Sequence, residues 1–146
     1  MRITWEAKTD KGVSMRFIPT KFHAPLDYIV GVALIAAPWI FQFSDVTAAA
    51  VVSIVLGIGL IAYSLFTDYE LGVWKVAPMA VHNLFDIVAG AFLAASPWIF
   101  GFADDSANVW MPHVVVGLAA VVLGLTTVQK GGYSYRKSRA STTAAG

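Results

Sequence analysis

The chain contains no cysteine among its 146 residues, which excludes disulfides, thiolate metal centres, iron–sulfur clusters and covalently attached c-type haem. Charge is scarce as well: Asp, Glu, Lys and Arg supply 13% of the residues against 58% hydrophobic, a balance outside that of soluble domains. It has no glycine-rich nucleotide loop, no HExxH zinc motif and no serine nucleophile in a recognisable local context. No catalytic residue is therefore assigned, and the protein reads as non-enzymatic. No nucleic-acid partner is assigned either, because Arg136, Lys137 and Arg139 form only a short basic cluster. Beside a membrane, such a cluster suits anionic lipid headgroups.

The scarcity of charge leaves long stretches without any. Residues 46–66 and 106–129 carry no charged side chain, and each exceeds the roughly 20 residues that cross a hydrocarbon core. Residues 28–44 and 87–103 are shorter, but become long enough when Asp27 and Asp86 lie at the membrane surface. Four spans follow, at about 24–43, 46–66, 79–102 and 109–129, with Pro25 in the first turn of span one, where a missing N–H costs nothing. Residues 1–22 carry Arg2, Lys8, Lys11, Arg16 and Lys21 and no continuous apolar core, so span one is expected to remain as an uncleaved anchor. Residues 131–146 are small and polar and read as a disordered basic tail. Every Lys and Arg falls before span one, in the 67–78 connection or after span four, whereas the other two turns carry only Asp45, Asp104 and Asp105. The positive-inside bias puts both termini and the central connection in the cytoplasm, with the chain in a bacterial inner membrane.

The chain is also internally duplicated. Residues 23–45 lie over 82–104 without a gap, matching His23 with His82, Asp27 with Asp86, Gly31 with Gly90 and Leu34 with Leu93. Pro38-Trp39-Ile40-Phe41 then matches Pro97-Trp98-Ile99-Phe100, followed by Phe43 with Phe102 and Asp45 with Asp104. A repeat of this kind is one supersecondary unit, here a helical hairpin over residues 23–66 and again over 79–130. A hairpin crosses the membrane an even number of times, so both copies enter from the same side. The expected fold is an all-α integral membrane four-helix bundle of two tandem hairpins, related by a pseudo-two-fold axis along the membrane normal. Trp39, Trp98 and Trp110 then mark the outer boundary, and Trp5 and Trp74 the inner one.

Within each copy, His, Asp and Gly recur four residues apart and share one helix face near the cytoplasmic end: His23, Asp27 and Gly31, then His82, Asp86 and Gly90. An ionised Asp inside a bilayer needs a partner, and the His one turn earlier on its own helix is the nearest. This pattern admits a buried polar clamp, a proton or cation path, or ligation of b-type haem or a divalent ion through His23 and His82. One His per helix is an unspecific spacing, so no cofactor and no metal are assigned. Pro38 and Pro97 remove the backbone bonds to the carbonyls of Leu34 and Leu93 and are expected to kink spans one and three, splaying Trp39, Trp98 and the following phenylalanines across the interface. Gly31, Gly57, Gly59, Gly90, Gly117 and Gly124 mark faces where helices approach closely. Asp45 and Asp104 are expected to cap the helices that follow them, and His113 to hydrogen-bond at the interface.

The doubled His-x-x-x-Asp-x-x-x-Gly face followed by Pro-Trp-Ile-Phe resembles the SPW repeat family of small bacterial membrane proteins; Ser96-Pro97-Trp98 is the naming triplet, and the first copy has Ala37 in place of its serine. The resemblance covers about Phe22 to Lys130 and implies a two-repeat, four-helix inner-membrane protein without implying an activity. The expected partners are the lipid bilayer and either a larger membrane-protein complex or further copies of this chain. A small ion-coupled transporter using the His/Asp pairs is the alternative.

Overall fold

The computed structural model describes residues 16–128, which form four helices: α1 (Thr20–Ile40), α2 (Thr47–Phe66), α3 (Met79–Ile99) and α4 (Ala107–Thr126). Each has 20 or 21 residues, about 30 Å of helix at 1.5 Å per residue, which matches the hydrocarbon thickness. All four are long and apolar enough to cross a membrane, and the protein is a multi-pass, all-α membrane bundle. The segment expected as a basic tail, most of the N-terminal segment and Trp5 lie outside the described residues.

The helix ends depart from the expected spans for local reasons. Helices α1 and α3 start directly after Pro19 and Pro78. Pro25 therefore sits in the second turn of α1 rather than the first. At the far end, Phe41 and Phe100 are the C-caps, and the chain reverses through a left-handed residue, Gln42 (φ 58°) or Gly101 (φ 75°). The next amides close the turns, Phe43 N–H to Pro38 O and Phe102 N–H to Pro97 O, both 2.8 Å. This six-to-one bond, with an apolar residue folded back beneath it, is the Schellman helix stop. Helices α1 and α3 consequently end three residues short of the expected boundary, with Pro38 and Pro97 in their last turns. Phe43 and Phe102 turn inward and are buried, against the expectation that they splay outward. Trp39 and Trp98 do face out, 61% and 65% exposed. Val46 and Ser106 are the N-caps of α2 and α4, without a side-chain cap bond, so Asp45 and Asp104 are not caps.

Packing is tightest within each hairpin. A Cβ on Gly31 would stand 3.1 Å from the Gly57 carbonyl oxygen, and one on Gly57 only 2.6 Å from that of Gly31. Gly90 and Gly117 repeat this contact between α3 and α4, and Gly124 lies against the backbone of Asn83. Lacking a side chain, these residues let backbones meet where lipid gives no hydrophobic drive to association. Gly59 has nothing within 4 Å and is not a packing position.

The core is layered along the bundle. Ala37, Phe43, Ala49, Phe102 and Val109 fill the end carrying the two short turns; Leu34, Val52 and Leu93 form the middle; Ala24, Tyr69 and Met79 lie toward the other end. Outside, residues such as Val32, Val55, Ile58, Val88, Val115 and Leu118 are more than half exposed, a coat that lipid solvates. The residues leading into each repeat pair with the helix end of the other. Phe17 and Ile18 donate to Thr126 O, and Val76 and Ala77 donate to Phe66 O, at 2.8 to 3.1 Å. The isolated parallel bridges Ile18 to Thr127 and Thr67 to Ala77 complete the match. Equivalent contacts made reciprocally describe a pseudo-two-fold axis along the bundle.

Candidate functional site

His23 and His82 are each the fourth residue of their helix, and Asp27 and Asp86 the eighth. At 1.5 Å per residue this sets the histidines roughly 6 Å and the aspartates roughly 12 Å inside the bundle. Both faces point at the axis, where the four side chains meet, 0%, 0%, 3% and 8% exposed in the order His23, His82, Asp27, Asp86. The pairing is not confined to one helix, as the four-residue spacing suggested. His23 Nε2 lies 3.1 Å from Asp27 Oδ1 but also 3.0 Å from Asp86 Oδ2, and His82 Nε2 lies 3.1 Å from Asp27 Oδ2 and 3.5 Å from Asp86 Oδ2. The imidazoles meet edge to face, centroids 5.3 Å apart.

The outer nitrogens are held by two threonines that the sequence did not single out. His23 Nδ1 is 2.7 Å from Thr127 Oγ1, and His82 Nδ1 is 2.7 Å from Thr67 Oγ1. Each threonine donates its own hydroxyl hydrogen to the carbonyl four residues earlier, Thr127 to Leu123 O at 2.8 Å and Thr67 to Tyr63 O at 3.0 Å. A hydroxyl has one hydrogen, so both threonines accept from His, and both Nδ1 atoms carry a proton. Each His thus reaches the threonine of the other repeat. A signal for them existed: both threonines directly follow the last residue of the second helix of their hairpin, but one extra residue in the second short turn displaces the register that aligned the first helices.

The connection between α2 and α3 closes this end of the site. Tyr69 is fully buried with its ring 5.6 Å from that of His82, and Tyr63 stacks on the same imidazole at 5.2 Å. Burial, with the Asp27 carboxylate adding to it, pushes the Tyr69 phenol well above its ordinary range, so it stays neutral. Asn83 donates to Thr127 O at 3.2 Å, and Arg16 donates to the same carbonyl at 3.1 Å. Apolar clefts of about 300 Å³ flank the quartet, one beside Leu26, Asp27 and Val115, the other beside Tyr63, Phe85 and Asp86.

The Pro-Trp motif belongs to the opposite end. Pro38 and Pro97 are buried, and the carbonyls they release are both satisfied: Leu34 O accepts from Ser53 Oγ at 2.6 Å, and Leu93 O from Ser96 Oγ at 2.7 Å. The serine of the triplet therefore does local backbone work in repeat two, and Ser53 on α2 does it where repeat one has Ala37. His113 is buried between Phe43 and Phe102. Its nitrogens lie 2.8 Å from Val109 O and 3.1 Å from Ala49 O, so it hydrogen-bonds as expected, with its ring in the protein core.

No curated protein and no solved structure matches the chain. The sequence pattern of the SPW repeat domain does match, over residues 21–127, which runs from the first turn of α1 to the threonine that receives His23. By that match over most of its length, the chain belongs to the SPW repeat domain family.

Proposed function

We propose that this protein is a non-enzymatic accessory component of the bacterial inner membrane, a rigid four-helix unit that packs against a larger membrane complex or against copies of itself. The observation carrying this reading is where the polar chemistry goes. The His/Asp quartet is turned to the axis and spans the two repeats, with His23 Nε2 3.0 Å from Asp86 Oδ2 and His82 Nε2 3.1 Å from Asp27 Oδ2. Toward the short-turn end it meets Val30, Leu34, Leu56, Leu60, Leu93 and Val116, an apolar layer that supports a static fastening over a proton relay, which needs a continuous series of polar groups. Along the middle of the four helices the exposed side chains are apolar. Arg16, Lys21 and Lys75 lie at the quartet end, which supports a cytoplasmic location for it.

Photo-crosslinking from the lipid-facing positions Val55 and Leu118 in intact membranes tests the reading. A discrete protein adduct, a homodimer or one partner of defined mass, is the expected result. A monomer carrying lipid adducts alone overturns it.

A further inference from the structure

The quartet is more than a polar fastening in its atomic detail. Among the described residues, the four side chains each bring one donor atom to a common point, all within 4.8 Å of one another and all buried. His23 Nε2, His82 Nε2, Asp27 Oδ2 and Asp86 Oδ2 have no hydrogen-bond partner, although nitrogen and oxygen stand 3.0 to 3.5 Å apart. The ring nitrogens are crowded by carboxylate oxygens without a directed bond to any of them. Four unpartnered, buried donor atoms facing one point form an unsatisfied centre that a folded protein rarely keeps.

The tautomer sharpens this. With both Nδ1 protons committed to Thr67 and Thr127, a neutral imidazole presents a bare lone pair at Nε2, toward the carboxylates. Two lone pairs and two carboxylates repel one another unless positive charge lies between them. A second proton on each ring supplies it, and so does one divalent cation, since in either case the charges sum to zero, the condition under which charge is tolerable in a membrane interior. The cation is favoured because Nε2 of both rings and the facing carboxylate oxygens make no directed hydrogen bond. The spacing fits as well. Four-coordinate zinc with bonds of about 2.0–2.1 Å is a tetrahedron whose edges are about 3.3 Å. Three nitrogen-to-oxygen edges of the set, His23 Nε2 to Asp86 Oδ2 at 3.0 Å, His82 Nε2 to Asp27 Oδ2 at 3.1 Å and His82 Nε2 to Asp86 Oδ2 at 3.5 Å, bracket that length. Ligating histidines characteristically donate the other ring N–H to a fixed acceptor, which is what each threonine provides. A nitrogen and oxygen donor set without sulfur suits a first-row divalent ion, and the closed, four-ligand arrangement suits zinc.

From this geometry we propose that His23, Asp27, His82 and Asp86 bind one divalent first-row transition-metal ion, Zn²⁺ in particular, on the axis between the two repeats. Each repeat supplies one histidine and one aspartate, and each histidine is oriented by the threonine of the other repeat. The site requires both copies of the duplication, and metal binding fixes their relative position. The accessory role does not depend on it, and a metal-free protein leaves that reading to its own crosslinking test.

The experiment uses the full chain, purified in mild detergent, stripped with a chelator and supplied with Zn²⁺ alone. Elemental analysis after dialysis is expected to find one zinc per chain, and Co²⁺ in its place to give the intense visible bands of tetrahedral coordination. Asp27→Asn abolishes both, His113→Gln keeps both, and Thr67→Val, which leaves all four ligands, weakens zinc binding about 10- to 100-fold. Helical circular dichroism reports whether each variant folds. If Asp27→Asn does not fold, the affinity of Thr67→Val decides. No stoichiometric zinc in the parent, zinc retained undiminished by folded Asp27→Asn, or a Thr67→Val affinity equal to the parent overturns the proposal.

Discussion

Removing one hydroxyl from α2 tests how the bundle tolerates a proline in each Pro-Trp motif. Pro38 cannot donate to Leu34 O, and the only hydroxyl reaching that carbonyl among the described residues is Ser53 Oγ, 2.6 Å away and 1% exposed. Ser53→Ala leaves a backbone acceptor bare inside a membrane. A wholly unsatisfied group in hydrocarbon costs several kcal/mol, but hydrogen bonds between membrane helices average about 0.6 kcal/mol and reach about 1.7. Because Leu34 and Ser53 are both buried, the expected loss is at the upper end, about 1.5 kcal/mol, or roughly tenfold in the unfolding equilibrium. Repeat two shows the remedy, since Ser96 satisfies Leu93 O from three residues along the same helix. Ala37→Ser builds that arrangement into repeat one, and Ala37→Ser/Ser53→Ala should recover most of the loss. Reversible unfolding in mixed micelles, followed by circular dichroism, measures all four corners of this cycle. A double variant no more stable than Ser53→Ala, or a single variant within about 0.3 kcal/mol of the parent, refutes the reasoning.

Two glycines on one helix should behave oppositely. Gly57→Ala places a Cβ 2.6 Å from Gly31 O and 3.0 Å from Ile35 N, both backbone atoms, and should cost about 1–3 kcal/mol as α1 and α2 separate; Gly59→Ala meets nothing within 4 Å and should be neutral or gain up to about 1 kcal/mol from helix propensity. The same unfolding assay ranks them, and an equal loss for both removes the crossing-point argument. Tyr69 should resist alkaline titration, since burial raises its phenol in the folded state. The sign follows: stability is intact below the unfolded phenol value of about 10 and declines as pH rises beyond it, because only the unfolded chain then ionises readily. Spectrophotometric titration of Tyr69→Phe should match the parent up to the unfolding pH; one tyrosinate fewer in the variant before unfolding contradicts the burial.

The architecture was legible because its causes are local and additive. Long charge-free runs measure a bilayer whatever they pack against, and a gap-free duplication such as His23 to Asp45 over His82 to Asp104 declares two like hairpins. Helix ends were less legible, since the stop at Ile40 depends on Gln42 accepting a left-handed backbone that Gly101 accepts without strain. The four-residue spacing of His23 with Asp27 and His82 with Asp86 was likewise visible, together with a face for each pair. Spacing along one helix cannot specify what stands opposite that face. Only the reciprocal packing of the repeats brings His23 to Asp86 and Thr127, and His82 to Asp27 and Thr67. Each of these contacts joins elements far apart in the chain, made neighbours by the two-fold relation of the hairpins. The sequence alone determined four membrane helices in two copies; the tertiary structure decided that two ordinary His/Asp pairs become a single four-donor centre.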